Sequence, residues 1–237
     1  MTKLSEVNIM SEEQNSTSNE QECSEKQKRI IKLLDKLYDQ SINGIPKISP
    51  PITELANNYL QKKPYLESAA KSFIKNQIAK CTTSGFLTGL GGLVTLPVTV
   101  PANVGNVLYV QMRMIACLAY MGGYDTNSDQ VQTLVYACLA GISIDQILKN
   151  AGIQFGVKFT NKMIEKIPGK ILTEINKKVG FRFLTKFGEK GVINLGKMVP
   201  LVGGVVGGGF DLIETKIIAN RAYKMFIKGD LTASGKK

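Results

Sequence analysis

The residues Ser84-Gly85-Phe86-Leu87-Thr88-Gly89-Leu90-Gly91-Gly92-Leu93-Val94-Thr95-Leu96-Pro97-Val98-Thr99-Val100-Pro101-Ala102 form the centre of a long apolar stretch. No charge occurs between Lys80 and Arg113, a run of 32 residues, and Cys81 to Ile144 carries only Arg113, Asp125 and Asp129. A spanning helix needs roughly 20 apolar residues, so the length for one crossing is present. Pro97 and Pro101 interrupt it, and a proline inside a helix costs about 3 kcal/mol. The pattern therefore predicts two apolar helices joined by a proline-bounded corner. Pro97 ends the first, and Pro101 suits the first turn of the second, where its missing N–H is not needed.

Two readings of this hairpin follow. It is either a hairpin buried on all sides in a soluble core, or one that meets a lipid bilayer. The spacing Gly85-xxx-Gly89, with Gly91 and Gly92 beside it, allows close helix approach in either setting.

Working outward, Val104, Val107, Leu108, Met112, Ile115, Leu118 and Ala119 are nearly continuous around the second helix, which argues burial on most faces. Gly122-Gly123 ends it. Asp125 and Ser128 supply turn and N-cap chemistry for a helix from about 129 to 141. On the N-terminal side, Ile30, Ile31, Leu33, Leu34, Leu37 and Tyr38 repeat at helical spacing. A Gly- and Pro-rich linker over 43–51 follows. A short helix through Leu55 to Leu60 comes next, and then one opened by Pro64. Residues 1–27 are predominantly acidic and polar, which predicts a disordered tail before a single helical domain over 28–237.

From Lys149 to Lys197 the chain has eleven Lys or Arg against three Glu. Ile171, Leu172, Ile175, Val179, Phe183 and Phe187 recur between them at helical spacing. Lys170, Lys177, Lys178, Arg182 and Lys186 would then form a basic surface, suited to anionic headgroups or serving only as a solvated face. Ile153, Phe155, Val157 and Phe159 alternate with a period of two, but no partner strand is evident, so the segment reads as helical or irregular. Near the end, Gly203/Gly207 and Gly204/Gly208 form a second small-residue face. The final helix is expected to begin near Asp211 and Glu214 and to carry the stripe Ile213, Ile217, Ile218, Ala222 and Met225, with Gly229 as its stop.

The formal charge of +11 points to an anionic partner. A membrane surface fits better than nucleic acid, because no zinc finger or RNP motif is present and the large neutral hairpin is a poor match for a helix-turn-helix. The absence of histidine removes the Ser-His-Asp triad, Cys-His pairs and HExxH sites together. Cys23, Cys81, Cys117 and Cys138 have no metal-ligand spacing. The start lacks a secretory signal pattern, and the buried-type cysteines fit a reducing, cytoplasmic setting. Gly191 to Met198 resembles a phosphate-binding loop but has Met198 where the Ser or Thr belongs. No catalytic residue, cofactor or metal is assigned. Arg113, Asp125 and Asp211 are the polar residues expected to point into the apolar interior, and a soluble enzyme built on them is the rival reading. A soluble protein-binding module is a third.

Ser84 to Gly92, Leu96-Pro97, Pro101-Ala102, Gln111 to Ala116, the Gly123-Tyr124-Asp125 turn and Pro200 to Gly204 together resemble the signature of the bacterial EcsC family. The resemblance spans roughly residues 50 to 228. It implies an all-α protein with no established catalytic activity. It also implies a link to secretion, because the family takes its name from a protein encoded beside an ABC transporter. The resulting expectation is a non-enzymatic helical protein at the inner face of a bacterial membrane, accessory to a transporter or acting on the bilayer itself.

Overall fold

The computed structural model describes residues 2–82, 102–153, 160–187 and 204–234, with side chains over 21–79, 105–153, 160–185 and 213–232. It is all-α. Among the described residues the helices are α1 Thr2–Asn43, α2 Ile52–Leu60, α3 Leu66–Thr82, α4 Ala102–Met121, α5 Asp129–Ala140, α6 Ile144–Asn150, α7 Asn161–Glu165, α8 Gly169–Phe187 and α9 Gly204–Ala222. A π-helical turn, Tyr223–Ile227, extends α9, and a short 3-10 turn, Leu231–Ser234, follows.

The architecture is built around α4. Every residue from Leu108 to Ala119 is buried, including Gln111 and Arg113. Helices α1, α2, α3, α5 and α9 all pack on it. This is what the all-round apolar character of 104–119 predicts: a helix without a polar face must be enclosed. The helix begins at Ala102, directly after Pro101, which fits the proline corner. The other limb of the expected hairpin, with Gly85 to Pro97, lies outside the described residues. Among the described residues no helix is long and apolar enough to cross a membrane.

Helix α1 packs through Leu34, Leu37, Tyr38 and Ser41, spaced one turn apart. Among its described side chains, core packing starts at Ile30 and Ile31, close to the expected start of the domain. The acidic segment before it has a helical backbone continuous with α1. Its described residues 21–26 carry the local pairs Glu22–Lys26 and Glu25–Lys28 and add nothing to the core. Helices α1 and α5 are joined by Asp35, which accepts hydrogen bonds from Tyr136 (2.8 Å) and Gln132 (2.9 Å). The rings of Tyr38 and Tyr136 meet edge to face at 5.8 Å.

The linker after α1 is a tight corner in which Ile45 pairs with Ser49. Gly44 sits at φ +78°, and a Cβ there would collide with the Ser49 carbonyl and come within 2.7 Å of Pro50, so only glycine fits. Helix α5 has the expected N-cap. The Ser128 hydroxyl accepts from the Val131 N–H at 3.3 Å, and Gly141 closes the C-terminus at φ +70°.

Two expectations for the last helix are corrected. Helix α9 starts at Gly204, about two turns before Asp211, so the glycine-rich Gly204–Gly209 segment is helical and no acid lies in the first turn. Its buried face is Thr215, Ile218, Ala219 and Ala222, continued by Met225 and Phe226. Ile213 and Ile217, expected on that stripe, are 57% and 47% exposed. The orientation is set by Thr215, which accepts a 3.1 Å hydrogen bond from buried Gln111 of α4, and by the π-helical turn, whose extra residue re-aims the chain beyond Ala222. The alternating segment Ile153 to Phe159 falls almost entirely outside the described residues.

Candidate functional site

Helix α8 is amphipathic. Ile171, Leu172, Ile175, Val179 and Phe183 are buried against the domain, and Gly180 lets α1 approach closely at Gln27. With 100° per residue, Lys170, Lys177 and Phe181 fall on one line along the opposite side. Lys178 stands beside that line, and Arg182 lies at the edge where the outward face turns toward the core. All four cations are exposed, and Phe181, in their midst, is 55% exposed. Lys178 pairs with Glu174 at 3.0 Å. Four cations and one carboxylate leave three net positive charges along about 18 Å of helix, taking 1.5 Å per residue from 170 to 182. Lys162 and Lys166 of α7 and its cap are also exposed. Lys186 lies in the last turn of α8, with its side chain outside those described.

The polar residues expected in the interior separate. Arg113 is 6% exposed, and its guanidinium donates to the main-chain carbonyls of Ser41 (2.8 Å) and Pro50. Here its neighbours are the carbonyl dipoles at the C-terminal end of α1 and of the following corner, a favourable place for a cation. Asp125 is exposed, contrary to expectation. Its carboxylate accepts from the Asn127 N–H at 2.9 Å, forming the turn that presents Ser128 as a cap. Asp211 lies in α9, with its side chain outside those described. Arg113 and Asp125 thus serve two different structural joints. Among the described residues no group of three Cys, Asp or Glu could hold a metal ion.

Of the expected contact glycines and prolines, Gly85, Gly89, Gly91, Gly92, Pro97, Pro101 and Gly203 lie outside the described residues. Gly204, Gly207 and Gly208 are in the first turns of α9. Sequence reasoning missed Phe181, which falls outside the buried stripe, and Arg221. The signal for Phe181 was its position four residues after Lys177 and three after Lys178, on the face opposite the stripe.

Cys117 and Cys138 are free and buried. Burial pushes the thiols of Cys117 and Cys138 up to about 12.

A family model for the EcsC protein family matches residues 3–228, nearly the whole chain. The chain belongs to the EcsC family. A relative among curated proteins, the uncharacterized protein YdbA of Bacillus subtilis (strain 168), is 28% identical over 91 residues, 38% of this chain. The chain matches about a third of that relative's length (32%). No solved structure matches. The EcsC assignment therefore places the chain among relatives while leaving its chemistry to be argued from its own residues.

Proposed function

We propose that this EcsC-family chain is a non-enzymatic protein that docks reversibly on an anionic membrane surface through the outward face of α8. The observation that carries this reading is Phe181, 55% exposed, set among the exposed Lys170, Lys177, Lys178 and Arg182. A large aromatic in such a position gains nothing in water, whereas at a lipid interface its ring enters the acyl boundary while the cations meet headgroups. Three net charges at about 1 kcal/mol each and one phenylalanine at about 1.5–3 kcal/mol sum to roughly 5 kcal/mol. That corresponds to a preference of several thousand-fold, which is strong enough to localise a protein and weak enough to release it. The membrane would be the cytoplasmic face of a bacterial cell. The transporter-accessory role implied by the family would use this same docking to bring the domain to its partner.

Flotation with vesicles tests the reading. Purified protein should float with vesicles containing anionic phospholipid at low salt and remain at the bottom with purely zwitterionic ones. Salt near 1 M, where the Debye length falls to about 3 Å, should release it. Phe181→Ser should lower the floated fraction about tenfold or more without shifting the unfolding midpoint. Protein that stays at the bottom under every condition sinks the proposal. Flotation that survives high salt and the F181S change would instead place the contact elsewhere on the chain.

Of the residues on which the rival enzyme reading rested, Arg113 is engaged by two main-chain carbonyls and Asp125 faces solvent in a turn, so these two share no pocket.

A further inference from the structure

Beside the basic face, at the edge marked by Arg182, an open groove of ≈ 830 Å³ runs between the C-terminal end of α5, α8 and α9. Its size lies within the range of small-molecule sites, roughly 300–1,000 Å³. Most of its described lining is apolar, including Leu108, Leu139, Ile142, Phe183, Ile213 and Ile217. Three charged side chains break that pattern: Arg182, Arg221 and Glu214. Arg221 is held in place by donating from Nη1 to the Cys138 carbonyl at 3.0 Å and by lying against Gly141, where a Cβ would come within 3.2 Å of its guanidinium. These contacts fix the guanidinium in the wall of the groove. Ile213 and Ile217, one turn apart, are both about half exposed on the same wall.

We infer that this groove takes one molecule of an anionic phospholipid, resting on the membrane-docking reading above for the source of the ligand. The arginines decide the class. Arg182 and Arg221 both border the groove, and two guanidiniums suit an anionic phosphodiester. Guanidinium groups bind phosphate oxygens with directed, charge-assisted hydrogen bonds. The isoleucine wall and Phe183 then receive the start of an acyl chain. Arg182 stands where α8's outward face turns into the groove, so the same residue borders both the bilayer surface and the site. A lipid could therefore pass from one to the other without crossing bulk water.

Isothermal titration calorimetry of the full chain with short-chain lipids below their critical micelle concentrations tests this without any membrane. Dihexanoylphosphatidylglycerol should bind saturably with one-to-one stoichiometry. Dihexanoylphosphatidylcholine, with identical chains and no net charge, should bind at least tenfold more weakly, and glycerol 3-phosphate should give no measurable binding. Arg182→Gln and Ile217→Ser, both at partly or fully exposed positions, should each weaken phosphatidylglycerol binding at least fivefold with unchanged unfolding midpoints. Arg221 also serves the Cys138 carbonyl, so its replacement is not the deciding variant. Equal binding of the two lipids, equally tight binding of glycerol 3-phosphate, absence of saturable binding, or indifference to both R182Q and I217S would each overturn the inference. The two readings separate cleanly. Short-chain lipid binding without vesicle flotation retains the groove and removes the docking surface, whereas flotation without short-chain binding does the reverse.

Discussion

Replacing Arg113 by methionine is the most direct probe of how the central helix is held. The substitution keeps a long side chain in a site only 6% exposed, so little volume is lost. What disappears is the pair of hydrogen bonds to the carbonyls of Ser41, in the last turn of α1, and of Pro50, just before α2. Leaving the buried Ser41 carbonyl without a donor costs about 1–3 kcal/mol, and the part-buried Pro50 carbonyl, which water can partly serve, adds about 1, for roughly 2–4 kcal/mol in all. Against this, the guanidinium has no carboxylate beside it among the described residues, and removing a desolvated cation returns part of that cost. The net expectation is a loss of about 1–3 kcal/mol. For a chain of this size, at about 2–4 °C per kcal/mol, that is a fall in Tm on the order of 5 °C. Urea unfolding followed by circular dichroism should show a lower midpoint with the slope unchanged. Arg113→Lys should fall in between, because one ammonium lacks the planar fork that reaches two carbonyls at once. If R113M unfolds within about 0.5 kcal/mol of the parent, below the usual cost of even one orphaned carbonyl, then desolvation cancels the two hydrogen bonds, and the residue does not tie α1, α2 and α4 together.

Ser128→Ala removes the hydroxyl that accepts from the Val131 N–H, so it should lower stability by about 1 kcal/mol; Ser128→Asp, which can still cap, should restore it in the same denaturation assay. Peptide mapping after maleimide treatment of the native protein at pH 7.5 should find Cys23 modified, while Cys117 and Cys138, buried with thiols pushed up to about 12, react only once urea unfolds the chain. Glu67 lies below the ordinary glutamate range because Lys228 and then Tyr223 donate to it. Its contribution is therefore present above the ordinary glutamate value and lost as pH falls through the lowered one. Both side chains are about half exposed, so the effect should be small and salt-sensitive. Lys228→Met should flatten the acid limb of the stability profile below about pH 4.5 at low salt while leaving neutral stability nearly unchanged.

The parts of this fold that were legible in the sequence are those where one local rule acts alone. An apolar residue on every face of 104–119 requires enclosure, and α4 is enclosed. Pro101 followed by a helix, and Ser128 followed three residues later by Val131, are one-dimensional signals that need no tertiary partner. Legibility fails where a distant contact outvotes the local preference. Glycine disfavours helix by about 1 kcal/mol per residue, so the run after Gly203 argued for a start near Asp211. The helix instead begins at Gly204, ahead of a segment anchored by Thr215 on Gln111. The spacing of Ile213 and Ile217 looks like any buried stripe, and only that anchor and the π-helical turn place them outward. Charge in an apolar setting was equally ambiguous. Arg113 and Asp125 stand out identically against a neutral background, yet one is buried because carbonyls at the end of α1 await a donor, and the other is exposed because its own turn supplies its partner. The candidate surface follows the same logic. The lysines of α8 could be counted from the sequence, but Phe181 gains meaning only once the buried stripe is known to face away from it. An aromatic residue that folding leaves in water, flanked by cations, is the feature on which the proposed docking face rests, and its placement is set by the tertiary structure.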